Sequence, residues 1–243
     1  MKSSSKVLWA AVVIFSVVMI IDNISQGASQ QNGNNNEPRV GFSFSFNKPI
    51  TGDGNIKSQT RTINNSNVVN ISGNFKVNIN NGKQSSVAIT ADENILPYID
   101  VNTDNNTLSI AVKSNVVINP SQIPTINITV PVVKALNISG KTQLQASNIN
   151  TDQLAIDLSG KSDVLLAGHT TNLMITASGK SSIQSNNLIA ENITINGTGN
   201  SNISVNPIKE LILNIVGKSD IQYVGNPSIT KNIVGDVTIE KLS

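Results

Sequence analysis

The sequence predicts an all-β chain that stacks as a parallel β-helix, a solenoid with coils of about 19 residues and a less regular N-terminal half. Three observations carry this. Asn makes up 36 of the 243 residues, while aromatics are only 3% and charged residues 13%. A chain rich in Asn, Ser, Thr, Ile and Val suits pleated strands joined by many turns. Short runs alternate apolar and polar residues with period two, as half-buried strands do. One glycine-centred segment also returns at nearly constant spacing.

Residues 1–27 read as an export signal. Lys2 and Lys6 precede an apolar run from Val7 to Ile21. A helix of that length reaches about 22 Å, short of the roughly 30 Å hydrocarbon core. Small residues (Ser25, Gly27, Ala28) follow, so cleavage after Gly27 or Ala28 is expected, with an uncleaved anchor as the rival. In that rival, residues 7–21 are the only membrane contact. Loss of Lys2, Lys6 and Asp22 lowers the net charge from +2 to +1. Residues 28–40 (ASQQNGNNNEPRV) lack periodic apolar residues and read as a disordered polar linker.

The domain then runs over 41–243. Strands are expected at Phe42–Phe46, Phe75–Ile79, Val87–Ala91, Leu108–Val112 and Ile126–Val130. No later window sustains the helical apolar spacing; 91–98 (ADENILPY) is the best place for a single helical turn. The half from 41 to 134 is irregular. Gly54, Gly73 and Gly82 do not keep a step, and Pro120, Pro124 and Pro131 belong at strand edges or turns. Large looped coils or a sheet capping the solenoid are expected there.

The half from 135 to 243 repeats. Leu136-Asn-Ile-Ser-Gly140-Lys141-Thr is followed by copies centred on Gly160, Gly179, Gly199 and Gly217, with a decayed copy at Gly235. The differences between successive glycine numbers are 20, 19, 20, 18 and 18. An apolar residue returns four positions after each of the first five glycines: Leu144, Val164, Ile183, Ile203 and Ile221. Leu154/Ile156, Leu173/Ile175, Ile193/Ile195 and Leu211/Leu213 open the units. A unit this short cannot bury its own apolar face, but stacked units form a continuous core. Glycine fits the corner, where φ is positive, and Asn can stack in ladders. An antiparallel sandwich or barrel would also show short strands, but not one segment at such constant spacing.

The order of motifs resembles a known bacterial family. Ile50-Thr-Gly52-Asp53-Gly54-Asn55-Ile56 precedes Arg61-Thr-Ile63. Ile71-Ser-Gly-Asn-Phe75-Lys-Val77, Ala91-Asp92-Glu93-Asn94-Ile95 and Leu108-Ser-Ile110 follow, and then the Ser-Gly-Lys/Asn-Ser units. Together, over about 42–240, these resemble the head GIN domain of putative auto-transporter adhesins, a domain of unknown function. The resemblance implies a right-handed β-helix-like fold, export and an adhesive or envelope role. It supplies no catalytic residues. No C-terminal run of amphipathic strands suits a membrane barrel, so self-translocation is not expected.

Composition and motifs narrow the chemistry further. With no Cys, disulfides, thiol nucleophiles, thiolate metal sites and a lipoprotein anchor are excluded. His169 is the only histidine, so neither a zinc site nor any other metal site is expected, and no G-x-S-x-G elbow supports a triad. A net charge of +2 gives no field for nucleic acid. Gly-Lys-Ser/Thr occurs at 140, 160, 179 and 217, but Ala135, Ala155, Met174 and Ile212 stand where a phosphate loop needs its first glycine. Those segments are coil corners.

Their side chains form a candidate surface-contact row: Lys141, Lys161, Lys180, Asn200 and Lys218. Asp163 and Asp220, each two places after a lysine, are expected to offset its repulsion. The row reads either as a polyanion-binding stripe or as a solvated edge that blocks lateral aggregation. Asp157, Asp163, Glu191, Glu210 and Asp220 are scattered over separate coils, and aromatic platforms for sugar are few. Sequons such as Asn70-Ile-Ser72 and Asn202-Ile-Ser204 follow from composition.

The expected function is that of an exported, non-enzymatic, adhesin-like or envelope interaction protein without a cofactor. It would act through a polar β-helix surface on a cell-surface glycan or an envelope protein. Its place would be the periplasm, the outer membrane surface or the medium. A polysaccharide lyase or hydrolase and a purely structural periplasmic protein are the alternatives.

Overall fold

The computed structural model describes residues 48–242. The export segment, the linker at 28–40 and the Phe42–Phe46 run lie outside the described residues. The described part is all-β. Its strands are β1 (Ile50–Thr51), β2 (Ile56–Thr62), β3 (Val68–Asn81), β4 (Ser86–Asp92), β5 (Ile99–Asp104), β6 (Thr107–Val112), β7 (Ile118–Asn119), β8 (Thr125–Val130), β9 (Ala135–Gly160), β10 (Asp163–Gly179), β11 (Ser182–Tyr223) and β12 (Ser228–Lys241). A single 3-10 turn, Leu96–Tyr98, falls inside the segment expected to hold a helical turn. The four other alternating runs lie in β3, β4, β6 and β8.

Ten strands form one mixed sheet along the path β12-β11-β10-β9-β3-β8-β4-β2, with β5 and β6 attached beside it; β1 and β7 form a second, two-stranded sheet. From β3 to β12 the pairing along this path is parallel, and its register follows the repeat. Gly179 lies opposite Gly160 on one side and Gly199 on the other, and Gly217 lies opposite Gly235. The Lys161 and Lys180 amides donate to the Gly140 and Gly160 carbonyls at 2.9 Å.

The glycine row depends on the absence of a side chain. From Gly140 to Gly217 its members have φ between +99° and +120°. A Cβ on Gly140, Gly160, Gly179, Gly199 or Gly217 would sit 2.5–2.7 Å from the carbonyl oxygen of the preceding glycine. The backbones therefore approach closely along this row, and a side chain there would force one of them to shift.

The row also begins earlier than the spacing indicates. Gly73 lies opposite Gly140, and β3 pairs with β9 from Val68↔Ala135 to Ile79↔Ala146. Residues 82–134 leave the stack and return. They supply β6, parallel to the first part of β3, and β8, parallel to the second. Antiparallel strands then finish this end: β5 on β6, β4 on β8 and β2 on β4. Asn105 and Asn106, with φ of 46° and 63°, close the β5–β6 hairpin as a tight turn of positive φ.

Inward side chains form columns one strand spacing apart. Val69, Leu136, Ile156, Ile175, Ile195 and Leu213 are each no more than 1% exposed. Leu144, Val164, Ile183, Ile203 and Ile221 form a second column after the corner. All belong to one continuous core cluster. Two positions after each glycine the inward residue is small and polar: Thr142, Ser162, Ser181, Ser201 and Ser219 are all buried. Asn side chains ladder on the outside, with Asn232 donating to Asn214 at 2.8 Å and Asn214 to Asn196 at 2.9 Å.

Candidate functional site

Two outward strips follow the glycine row on its C-terminal side. The first is the predicted row. Because each member follows a stacked glycine, the corner brings Lys141, Lys161, Lys180, Asn200 and Lys218 into one exposed line. Asn74 precedes Lys141 in register, and Asp236 follows Lys218. Among the described residues, neither Asp163 nor Asp220 forms an ion pair with the row. Lys218 meets Asp236 at 3.8 Å, with both side chains mostly in solvent. The opposing carboxylate comes from the next strand because side chains directly opposite each other stand closer than those two places apart on one strand.

The second strip is a shallow groove that motif reading passed over. It lies three and five positions past each glycine, on either side of the inward Leu144–Ile221 column. One line runs Lys76, Gln143, Asp163, Ser182, Asn202, Asp220, Thr238. The other includes Asn78, Gln145, Gln184, Ser204, Gln222 and Glu240. Two concavities, about 560 Å³ toward β12 and about 280 Å³ toward β3, share Ser182 and Gln184 and so form one track. The sequence signal was available: these positions are polar in every copy except Leu165.

Chemically, the groove offers amides and hydroxyls that both donate and accept hydrogen bonds. Its carboxylates are spread out. Asp163 and Asp220 stand three strand spacings apart, about 14 Å, well beyond the separation used by paired glycosidase carboxylates. Asp220 and Glu240 are diagonal neighbours on adjacent strands, but both are exposed, and a general acid of that kind is held protonated by burial. Glu191 pairs with Lys209 at 2.7 Å. His169 is exposed, between Asn150 and Ile189 in register. Among the described residues no cluster of three or more His, Asp and Glu side chains could hold a metal ion.

The other polar constellation lies in the cap. Asp92, fully buried, accepts the Ser121 hydroxyl at 2.6 Å, the Ser121 amide at 3.0 Å and the Gly54 amide at 2.8 Å. The Ser121 hydroxyl, aided by those amides, holds its carboxyl below the ordinary Asp value; burial opposes this and is outweighed. Asn94 donates to the Thr51 carbonyl and accepts from the Asp53 amide, while Asn55 donates to Glu93. Gly52–Asn55 and Ala91–Asn94 are thus two halves of one staple. A side chain at Gly52 would fall on the Asp92 carboxyl. Every Asp92 oxygen is engaged within the fold, so this is architecture rather than a ligand site.

The sequence profile of the family described as putative auto-transporter adhesin, head GIN domain, matches residues 65–227. Several solved structures share the fold. A putative adhesin from Bacteroides fragilis has a TM-score of 0.66 at 20% identity, covering 79% of this chain and 100% of that one. A putative adhesin from Parabacteroides merdae has a TM-score of 0.51 at 18% identity, covering 80% and 99%. A protein from Parabacteroides distasonis described as a putative lipid binding protein has a TM-score of 0.53 at 21% identity, covering 81% and 100%. No curated protein matches.

Proposed function

We propose, from the premise that this chain belongs to the head GIN domain family of putative auto-transporter adhesins, that it is an exported, non-enzymatic envelope protein acting by surface contact. One observation carries the reading: a strip that is polar at every position but Leu165 runs in register across β3, β9, β10, β11 and β12. Such a strip presents many equivalent donors and acceptors to an extended partner. Each contact is weak, about 0.5–1.5 kcal/mol net for a hydrogen bond, and affinity comes from their number.

In the same reading the long strands are consecutive coils of a right-handed parallel β-helix. The 42-residue β11 supports this. Drawn straight it would span about 140 Å, so it must turn back on itself. Contact between Gly199 and Gly217, both within β11, marks such a return.

Retention of the purified chain on envelope preparations tests the groove. Gln184→Ala combined with Gln222→Ala should lower retention about fivefold, the loss of roughly 1 kcal/mol, with the melting temperature unchanged. Unchanged retention would sink the groove as the contact surface. Export is tested by cell fractionation with N-terminal sequencing: a mature species beginning near Ala28 outside the cytosol is expected, and an intact cytosolic chain would refute it.

A further inference from the structure

We infer that the lysine edge beside the groove is a binding track for a linear anionic polysaccharide laid along the stacking direction. This deepens the surface-contact reading above, and rests on it, by naming the ligand class. The first ground is that the fold does not require lysine there. Asn74, Asn200 and Asp236 occupy the same corner position in other copies, so the local conformation accepts short polar residues. Lysine nevertheless recurs at 141, 161, 180 and 218. Adjacent ammoniums one strand apart repel by up to about 1 kcal/mol per pair in water. Among the described residues, Lys141, Lys161 and Lys180 have no ion-pair partner. Three of the row's four lysines are therefore positive charges without an ion pair, which the stack tolerates rather than uses.

The second ground is its shape. Lys141, Lys161 and Lys180 occupy consecutive layers about 4.8 Å apart, and Lys218 continues the line beyond Asn200. A line of charge complements a linear polyanion better than a planar anionic surface. An acidic peptide fits poorly, since its same-side residues recur at about 6.7 Å and drift out of step with the layers. Nucleic acid would want aromatic platforms, and the row has none. A sugar ring joined in an extended chain advances by nearly one layer. Hydroxyls flank the row before the glycines, at Ser139, Ser159, Ser178 and Thr198. The groove's amides flank it on the other side. Lysine would hold the carboxylate, sulfate or phosphate groups, and the flanks would hydrogen-bond the sugar hydroxyls. Asp163, two positions past Lys161, opposes binding, and Asp236 marks the end of the track.

The test measures retention of the purified chain on immobilised polygalacturonate, with neutral dextran, single-stranded DNA and anionic phospholipid vesicles as comparison probes. The expected result is salt-sensitive binding to polygalacturonate that strengthens with oligomer length, and little binding to the others. The triple variant Lys141→Gln, Lys161→Gln, Lys180→Gln should lose roughly tenfold or more in affinity. The control triple Lys57→Gln, Lys83→Gln, Lys113→Gln removes the same charge elsewhere and should change it less than about twofold. Asp163→Asn should strengthen binding. Equal losses in both triples, equal binding to DNA or vesicles, or no binding to polygalacturonate would each overturn the inference. Envelope retention that survives the lysine triple but fails in the Gln184/Gln222 variant would overturn this inference while leaving the surface-contact reading intact.

Discussion

At the scale of single residues, the corner is set by two positions. The glycine is one, and its requirement is steric as well as conformational. Gly179→Ala places a methyl 2.6 Å from the Gly160 oxygen at φ +99°, so strain and overlap add, and a loss of about 3 kcal/mol or more is expected. Gly54→Ala supplies the comparison: φ is +78°, but nothing lies within 4 Å, so only the strain of about 1 kcal/mol applies. Thermal unfolding of the two variants checks the difference. The buried serine two positions on is the other. Thr142 donates to the Gly73 carbonyl at 3.2 Å, but Ser162, Ser181 and Ser201 bury hydroxyls that lack a partner. Ser201→Ala should therefore stabilise the protein by about 1 kcal/mol, whereas Thr142→Val should gain nothing. Reversed signs in denaturant titrations would defeat this account. The inward serine was readable in principle, because it shares parity with the aliphatic residue two places later. The rule that polar residues face outward hid it.

At the scale of elements, the regular half was legible because its period is local: each segment pairs with the next copy of the repeat. The start of the stack was not. β3 pairs with β9 across the whole excursion at 82–134, so Gly73 keeps register in space but not in sequence. At that end, where large looped coils or a capping sheet were expected, the sheet continues into antiparallel pairs: β4 on β8, β2 on β4 and β5 on β6. The two acidic, Asn-containing segments at 52–55 and 91–94 were visible only as motifs; pairing made them a staple. Its carboxylate gives a pH signature. Asp92 has a depressed pKa in the fold, so its stabilising contribution is complete above the ordinary Asp value of about 3.9 and fades as pH falls from there through the folded value. The melting temperature of the wild type should fall across that acidic window. Asp92→Asn should be less stable at neutral pH and show a weaker slope there. Equal slopes would remove Asp92 from the acid response.

At the scale of the whole molecule, the two ends of the stack differ. Beyond β3 the sheet continues into antiparallel pairs, whereas among the described residues no strand pairs with the far side of β12. That edge departs from the template where it matters. Lys231 stands opposite the buried Leu213, in a core column, and Asp236 stands in the lysine row opposite Lys218. A charge in a core-column position of an edge strand, as at Lys231, obstructs addition of another strand, and Asp236 puts a carboxylate where the outward row otherwise carries lysine. Lys231→Leu with Asp236→Asn restores the template, and light scattering should show an average mass that rises with concentration above that of the parent. No rise would mean that other features guard the edge. The candidate site divides along the same line of legibility. The lysine row followed from repeat spacing alone, whereas the groove needed register, since its polar residues belong to no motif. The excursion between β3 and β9 also fixes an order of assembly. Neighbouring units in the second half close loops a single repeat long, but β3 must wait for a partner far along the chain, as Val68 does for Ala135. The added closure entropy is about 1 kcal/mol, roughly a fivefold handicap in closing. It is enough to make the C-terminal block nucleate first, with the first-synthesised strands docking onto it last.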